Sequence, residues 1–290
     1  MDKIIIGYEK GAYYGQSVIE YLIKFIYDEV IWTNNNKDNV DIMVQSNNGT
    51  LWNQKKKKYL YWSGESYEPI KNKNATHELW ISTTLLFNDH MYIPYVLYSP
   101  YLYKERKYTN NQRKYFLAYC SSHKVKERED FFNKCYSLSQ KNNLLCHSLG
   151  KCYGNIPQSN KKVKGIWSDE CLIDAYKDYT FVMAFENGVV DGYITEKILN
   201  VFYSGAIPVY HGNTNVSEFF NPKSFINVSN YNSYEDCINY MLNLTNEQIT
   251  NMVNEPIYQS NNDIIQLLNT TRPNNTRNVY INQLKDFLQK

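Results

Sequence analysis

The residues best suited to chemistry stand between an apolar run and a possible helix start. Glu186 and Asn187 directly follow the apolar run 181–185, and Thr195 precedes Glu196 and Lys197. Apolar residues follow at helical spacing, so Thr195 can cap a helix whose first turn carries Glu196 and Lys197. A helix N-terminus carries roughly half a positive charge, to which a lysine adds a full charge. This pattern favours an anion site suited to a diphosphate, although the Glu-Lys pair could also be solvated. The buried face of that helix would consist of Ile198, Val201 and Phe202.

Two further cations follow apolar runs in the same half of the chain. Arg128 comes after the run 115–120 and the polar pair Ser121-Ser122. A guanidinium in this position could bind a phosphate with two parallel hydrogen bonds. Lys151 follows the run 144–147 in a similar way. Taken alone, a cation at either position is more often an ordinary exposed charge than a ligand-binding residue. Both are candidates because each follows the carboxyl end of a predicted strand.

A carboxylate in the first half of the chain is a candidate base. Glu65 follows the apolar run 59–62 and the dipeptide Ser63-Gly64. A carboxylate just past a strand end can face a ligand cleft and take a proton from a hydroxyl group. An isolated glutamate in such a position is more often a surface-loop residue.

The elements that must position these residues alternate between strands and helices. This alternation predicts an α/β fold with two doubly wound sheets, whose ligands lie at the carboxyl ends of the strands and hence in a cleft between two domains. We predict domains at 1–108 and 109–270, and a helix in 271–290 that could pack back on the first domain. Ser233 is a suitable N-cap for a further helix. The predicted strands are 3–7, 40–44, 59–62, 115–120, 144–147, 180–185, 206–210 and 224–228, and the predicted helices include 17–26 and 280–288.

The composition argues against several functional classes. The 290 residues include 31 Lys and Arg against 29 Asp and Glu, a formal charge of +2. Such a balance is unlike that of a disordered chain or a strongly basic nucleic-acid binder. The basic run Lys55–Lys58 is short enough to be a solvated loop. The partners must therefore be inferred from the candidate sites.

Cysteine spacing and hydropathy give information on the cellular location of the protein. The six cysteines lack the paired short spacing of zinc sites, and reduced thiols in the cytoplasm are the simplest interpretation. No stretch of about 18 apolar residues is present, so no transmembrane segment is predicted. We expect a cytoplasmic protein that is soluble or peripherally associated with membranes.

The motifs resemble those of the α-1,3-fucosyltransferases of glycosyltransferase family 10. The resemblance is strong over 115–256 and thinner at 62–65 and 92–95. It implies a GT-B fold of two Rossmann-like domains, a GDP-fucose donor bound by the C-terminal half, and no essential metal. The sequence agrees with the last point because no two aspartates stand two positions apart. The matching stretches are Phe185-Glu186-Asn187, Tyr193-Ile194-Thr195-Glu196-Lys197, Ser204 to Val209 and Phe219 to Val228.

The resemblance also implies roles for individual residues. Glu65 would be the general base, and Glu196 would lie near the fucose or stabilise its developing positive charge. Lys197 and Arg128 would neutralise the departing diphosphate. One departure is Leu149-Gly150-Lys151, which stands where a Gly-Gly-Arg is usual. The implied donor-binding residues are Ser121, Ser122, Arg128, Lys151, Glu186, Asn187, Tyr193, Thr195, Glu196 and Lys197.

The expected activity is inverting transfer of L-fucose from GDP-fucose to a hydroxyl group of an oligosaccharide or glycoconjugate acceptor, with an α-1,3 linkage to N-acetylglucosamine or glucose. No cofactor and no nucleic-acid partner are expected. Two alternatives remain open at this point. One is an enzyme with the same fold that uses another GDP-linked deoxysugar, and the other is a glycan- or nucleotide-binding relative without catalysis.

Overall fold

The computed structural model describes residues 2–9, 15–35, 38–47, 55–109, 113–152, 163 and 170–290. The chain divides into two compact units. The first unit comprises Met1–Tyr98, Val190–Ile194 and Ser260–Lys290, and the second comprises Ser99–Val189 and Thr195–Gln259. The bounds at 98 and 260 lie about ten residues before the predicted 108 and 270, and the return of segment 190–194 to the first unit was not predicted. The acceptor-binding and donor-binding roles assigned to the two domains stay predictions.

The first unit contains a six-stranded parallel sheet in the order β2-β1-β3-β4-β5-β6. Strands β3 and β4 are buried along nearly their whole length, as parallel strands covered on both faces must be. The sequence analysis missed β2, β5 and β6. The strands are β1 (Lys3–Tyr8), β2 (Glu29–Thr33), β3 (Ile42–Ser46), β4 (Lys58–Ser63), β5 (His77–Ser82) and β6 (Met91–Tyr92).

Two helices of the first unit cover this sheet, α1 (Gln16–Ile23) and α7 (Asn275–Gln289). Asn274 caps α7 by accepting a hydrogen bond from the backbone N–H of Arg277 at 2.7 Å. The buried residues of α7 recur at helical spacing, which is why this segment is a helix with one apolar face. They are Tyr280, Ile281, Leu284, Phe287 and Leu288.

The second unit contains a five-stranded parallel sheet in the order β11-β10-β9-β7-β8. Counted within the unit, this is the order 2-1-3-4-5, whose direction reverses between β7 and β9. Ligands of such sheets bind outside the carboxyl ends of the strands at that reversal. The strands are β7 (Tyr115–Tyr119), β8 (Cys146–Ser148), β9 (Tyr179–Phe185), β10 (Ile207–His211) and β11 (Ile226–Asn227).

The helices of the second unit follow its strands along the chain. The predicted cap of α5 is confirmed, because the Ser233 hydroxyl accepts a hydrogen bond from the N–H of Asp236 at 3.1 Å. Thr245 and Gln248 form a reciprocal capping box at the start of α6. The helices are α2 (Lys126–Gln140), α3 (Glu170–Tyr176), α4 (Lys197–Tyr203), α5 (Tyr234–Asn243) and α6 (Asn246–Asn254).

Two parallel α/β sheets confirm the predicted fold class. Within the described ranges, none of the helices combines the length and apolar character needed to cross a bilayer. The strand reversal in the second unit identifies the ends of β7 and β9 as the place to look for a ligand site.

Candidate active site

Arg128 lies at the reversal between β7 and β9. It is in the first turn of α2 but points inward, and only 5% of its surface is exposed. Its guanidinium donates hydrogen bonds to Ser121 Oγ at 3.1 Å, to the Phe185 carbonyl at 2.7 Å and to Asn187 Oδ1 at 2.8 Å. Ser121 follows β7, whereas Phe185 and Asn187 mark the end of β9. Arg128 is thus a buried cation that connects the two strand ends, and not an exposed surface charge.

Glu186 organises the segment that the sequence predicted as an anion site. Its side chain is fully buried. One carboxylate oxygen, Oε1, accepts the backbone N–H of Thr195 at 2.8 Å. The other, Oε2, accepts the Thr195 hydroxyl at 2.7 Å and the Lys197 ammonium at 3.1 Å. Lys197 Nζ also donates to Thr195 Oγ1 at 2.9 Å. These bonds hold the ammonium group in one place.

The prediction that Thr195 caps a helix was wrong. Helix α4 begins at Lys197 with Glu196 in the N-cap position and no side-chain cap. The Thr195 hydroxyl lies one residue before the N-cap position, donates to Glu186 nine positions earlier, and accepts the backbone N–H of Lys197 at 3.5 Å. The Thr195 N–H is bound to the same carboxylate, which therefore supplies negative charge where the sequence suggested an open anion site. The predicted buried face of Ile198, Val201 and Phe202 is confirmed.

Burial and mutual charge set the protonation of Glu196 and Lys197. Burial raises the pKa of Glu196, and the positive charge of Lys197 opposes this effect without cancelling it. Burial alone would lower the pKa of Lys197, but the carboxylates of Glu186 and Glu196 outweigh it, and the pKa lies above its ordinary value. Arg128 is near enough for its charge to counteract this rise. Lys197 therefore stays positively charged at neutral pH, next to a second buried cation.

The loops after β7 and β8 form the edge of this cluster. The Ser121 hydroxyl, besides accepting from Arg128, donates to the His123 carbonyl at 2.7 Å. The backbone N–H of Lys151 donates to the Ser121 carbonyl at 2.8 Å. A Cβ on Gly150 would lie 2.3 Å from that carbonyl oxygen, so only glycine allows this approach. Ser122 and Lys151 are exposed, whereas Ser121 contacts Arg128.

The sequence analysis missed two residues that support Glu186. The carbonyl of His211, at the end of β10, accepts the Glu186 N–H at 2.8 Å. A Cβ on Gly212 would lie 2.6 Å from Glu186 Cγ, so a glycine here makes room for the buried carboxylate. A glycine directly after a predicted strand was the signal that could have identified this position. Burial lowers the pKa of His211, whose imidazole is consequently neutral at neutral pH.

Glu65 and Tyr193 lie in the first unit. Glu65 is half-buried in the loop after β4, where the buried Ser63 hydroxyl bonds to the Glu65 carbonyl at 2.8 Å. The Tyr193 hydroxyl donates to Glu65 Oε2 at 3.5 Å. Tyr193 was predicted as a donor-binding residue, and nothing in the sequence predicted its contact with Glu65.

The described part of the chain lacks a cluster of candidate metal ligands. There, no group of three or more His, Cys, Asp or Glu side chains is placed to hold a metal ion. The expectation that no metal is needed stays a prediction.

Comparison with known proteins identifies relatives of the chain. It is 30% identical to a putative fucosyltransferase of Acanthamoeba polyphaga mimivirus over 149 residues, which are 49% of this chain and 24% of that protein. It is 43% identical to the α-(1,3)-fucosyltransferase FucT of Helicobacter pylori over 63 residues, 22% of this chain and 13% of that protein. The aligned regions thus span about a quarter or less of these curated relatives.

A solved structure of an α1,3-fucosyltransferase with GDP-fucose has the same fold. It superposes with a TM-score of 0.68 at 17% identity and covers 100% of this chain and 92% of its own. This likeness confirms the predicted GT-B architecture. Residues 104–252, about half of the chain, match the family described as glycosyltransferase family 10 (fucosyltransferase), C-terminal part. The chain belongs to this family.

Proposed function

We propose that the chain transfers L-fucose from GDP-fucose to a hydroxyl group of a glycan acceptor. The observation that carries this proposal is the pair of cations, Arg128 and Lys197, held at the carboxyl ends of β7 and β9. Family membership and the GDP-fucose named for the structural relative support the choice of donor. A diphosphate needs two or more positive groups of fixed position, and this cluster offers them.

Both cations keep donors for a ligand. An ammonium group has three N–H donors, and Lys197 uses two of them on Glu186 and Thr195. A guanidinium has five, and the described contacts of Arg128 use three. Phosphate oxygens of GDP would take the remaining donors. Because Lys197 stays charged, both groups can stabilise the negative charge that develops as GDP leaves.

We propose a single displacement with inversion at the sugar C1 atom. Glu65 would take the proton of the acceptor hydroxyl, and Glu196 would stabilise the positive charge that develops on the fucose ring. Arg128 and Lys197 would neutralise the leaving diphosphate without an essential metal ion. Ser121, Asn187 and Glu186 would act by holding the two cations, because their side chains contact Arg128 or Lys197.

For the acceptor we propose N-acetylglucosamine or glucose with an α-1,3 linkage. The name of the Helicobacter pylori relative, an α-(1,3)-fucosyltransferase, supports the linkage. We further propose a cytoplasmic location, with the protein soluble or peripherally associated with membranes. All six cysteines are free thiols, which is typical of reducing compartments.

The test is incubation of the purified protein with GDP-fucose and an array of glycans ending in galactose, glucose or N-acetylglucosamine. Mass spectrometry should detect addition of one deoxyhexose, and NMR of the product should show the inverted anomeric configuration. GDP-mannose, and GDP-linked deoxysugars other than GDP-fucose, are the matched donors. Transfer from one of these instead would replace fucose in the proposal, and glycan or GDP binding without any transfer would contradict catalysis.

A further inference from the structure

The five-residue segment 190–194 belongs to the first unit, although the residues on both sides of it belong to the second. Three hydrogen bonds fix it there. The Asp191 carbonyl accepts the N–H of Leu85 at 2.8 Å, and the Ile194 carbonyl accepts the N–H of Val96 at 2.8 Å. The Gly192 carbonyl accepts the hydroxyl of Tyr92 at 2.7 Å. The segment is therefore a fixed part of the first unit.

The turn at Gly192 determines where the next side chain goes. Gly192 has a φ of +80°, a conformation that favours glycine, and a Cβ there would lie 2.8 Å from both the Leu85 nitrogen and the Tyr92 ring. The backbone N–H of Tyr193 then donates to the Val190 carbonyl at 3.1 Å. This close-packed turn gives Tyr193 a defined position and buries it, with 5% of its surface exposed.

Tyr193 contacts the side chain of Glu65, whereas two other residues contact its backbone. Ser63 and Thr83 hold the Glu65 backbone through its carbonyl, at 2.8 and 3.5 Å. The Tyr193 hydroxyl holds the carboxylate itself, through Oε2 at 3.5 Å. A donor fixed on one carboxylate oxygen restricts rotation of the group and directs the other oxygen, Oε1, to the incoming proton.

We propose that Tyr193 is a positioning residue for Glu65, an inference that rests on the proposed function. In the transfer step the acceptor O–H proton goes to Glu65 and the acceptor oxygen forms a bond to the sugar C1 atom. The bond from C1 to the phosphate oxygen breaks, and GDP leaves with the electron pair. Tyr193 keeps its own proton throughout. It contributes by restricting the orientation of the Glu65 carboxylate.

The experiment is a double-mutant cycle with Tyr193→Phe and Glu65→Asp. Tyr193→Phe removes only the hydroxyl and should lower kcat about 10-fold, the size of one modest hydrogen bond to a charged group. The KM for GDP-fucose and the Kd for GDP should not change, and the unchanged Kd also reports an intact fold. Glu65→Asp shortens the side chain by one methylene and withdraws the carboxylate from Tyr193. In that background Tyr193→Phe should change kcat less than about 2-fold.

Tyr67→Phe is the matched control, since Tyr67 lies in the same loop as Glu65 but is 54% exposed. It should leave kcat unchanged. Equal losses from Tyr193→Phe in both backgrounds would overturn the inference, and so would a raised KM for GDP-fucose at constant kcat, which would assign Tyr193 to the donor. Failure of the proposed function looks different, because the wild-type protein would then transfer no sugar at all.

Discussion

The two units hold their charged groups in different ways. In the second unit, Arg128, Glu186 and Lys197 are each fixed by two or more hydrogen bonds, and both Arg128 and Glu186 are buried. In the first unit, Glu65 is half-buried and its carboxylate contacts one phenol at 3.5 Å. A buried, multiply bonded cation keeps its position before a ligand arrives. The comparison indicates that the proposed donor site is preorganised, whereas the proposed base has few side-chain contacts among the described residues.

The resemblance to fucosyltransferases also differs between the two units. It is strong across the second unit and thin around Glu65. The proposed donor site lies in the unit that matches the family, and the proposed base lies outside the matched residues. Variants of each unit can therefore test whether donor binding and proton transfer are separable.

The largest expected effect comes from the first unit. Glu65→Gln keeps the shape of the side chain but removes the base, and transfer should fall roughly 100- to 10,000-fold. Calorimetry should show GDP binding close to that of the wild type, because the residues proposed to bind phosphate are untouched. A Glu65→Gln enzyme with wild-type turnover would show that another group takes the proton.

Loss of a cation in the second unit should have the next largest effect. Lys197→Ala should lower kcat/KM about 100- to 1,000-fold, or ~2.7–4 kcal/mol, by analogy with a lost donor to a developing charge. GDP affinity should fall as well. The control is Lys141→Ala, an exposed lysine of the same unit, which should behave as the wild type. Unchanged GDP affinity in Lys197→Ala would remove this lysine from the donor site.

A smaller effect is expected on stability from Gly150→Ala. The added methyl group would lie 2.3 Å from the Ser121 carbonyl, so the loops after β7 and β8 must separate. The cost should be about 1–3 kcal/mol, seen as a lower Tm in thermal unfolding. Gly188→Ala is the matched control, because a Cβ there meets no atom within 4 Å. Equal Tm values for the two variants would contradict the packing described around Ser121.

The smallest effect concerns pH and Glu196. Burial raises the pKa of this carboxyl above its ordinary value of 4.5, so the folded protein binds more protons than the unfolded chain in the window above 4.5. Stability from this group therefore decreases as pH rises through that window. Glu196→Gln cannot ionise and should have a higher Tm than the wild type at pH 7 and a similar Tm at pH 4, while transfer decreases.

The exposed Glu105→Gln provides the control for this pH comparison. It should follow the wild-type Tm at both pH values. A lower Tm for Glu196→Gln at pH 7 would mean that the ionised carboxylate stabilises the fold through Lys197 by more than its burial costs.

The features of the fold and of the candidate site that depend on local sequence patterns could be predicted from the sequence. Strand ends and helix starts were visible because apolar periodicity and punctuating glycines are local signals, and these placed Arg128, Glu186 and Lys197 at one edge of a sheet. The cap assigned to Thr195 was wrong because α4 begins one residue later than expected, with Glu196 at the N-cap position. The bond from the Thr195 hydroxyl to Glu186 is a contact that local spacing cannot reveal. The strand β2 was missed although its Val, Ile, Trp and Thr residues favour strands.

Long-range contacts account for the remaining differences. Tyr193 and Glu65 stand 128 positions apart, and only the folding of segment 190–194 onto the first unit brings them together. The burial of Arg128 was equally hidden, because a charged residue in a first helical turn is ordinarily solvated. Its bonds to the ends of β7 and β9 arise from the strand order of the sheet.

The most direct test of the account is a crystal structure of the protein with GDP bound. The account predicts that diphosphate oxygens lie within hydrogen-bonding distance of Lys197 Nζ and the Arg128 guanidinium, at the ends of β7 and β9. A nucleotide bound elsewhere, with Lys197 still contacting only Glu186 and Thr195, would contradict it.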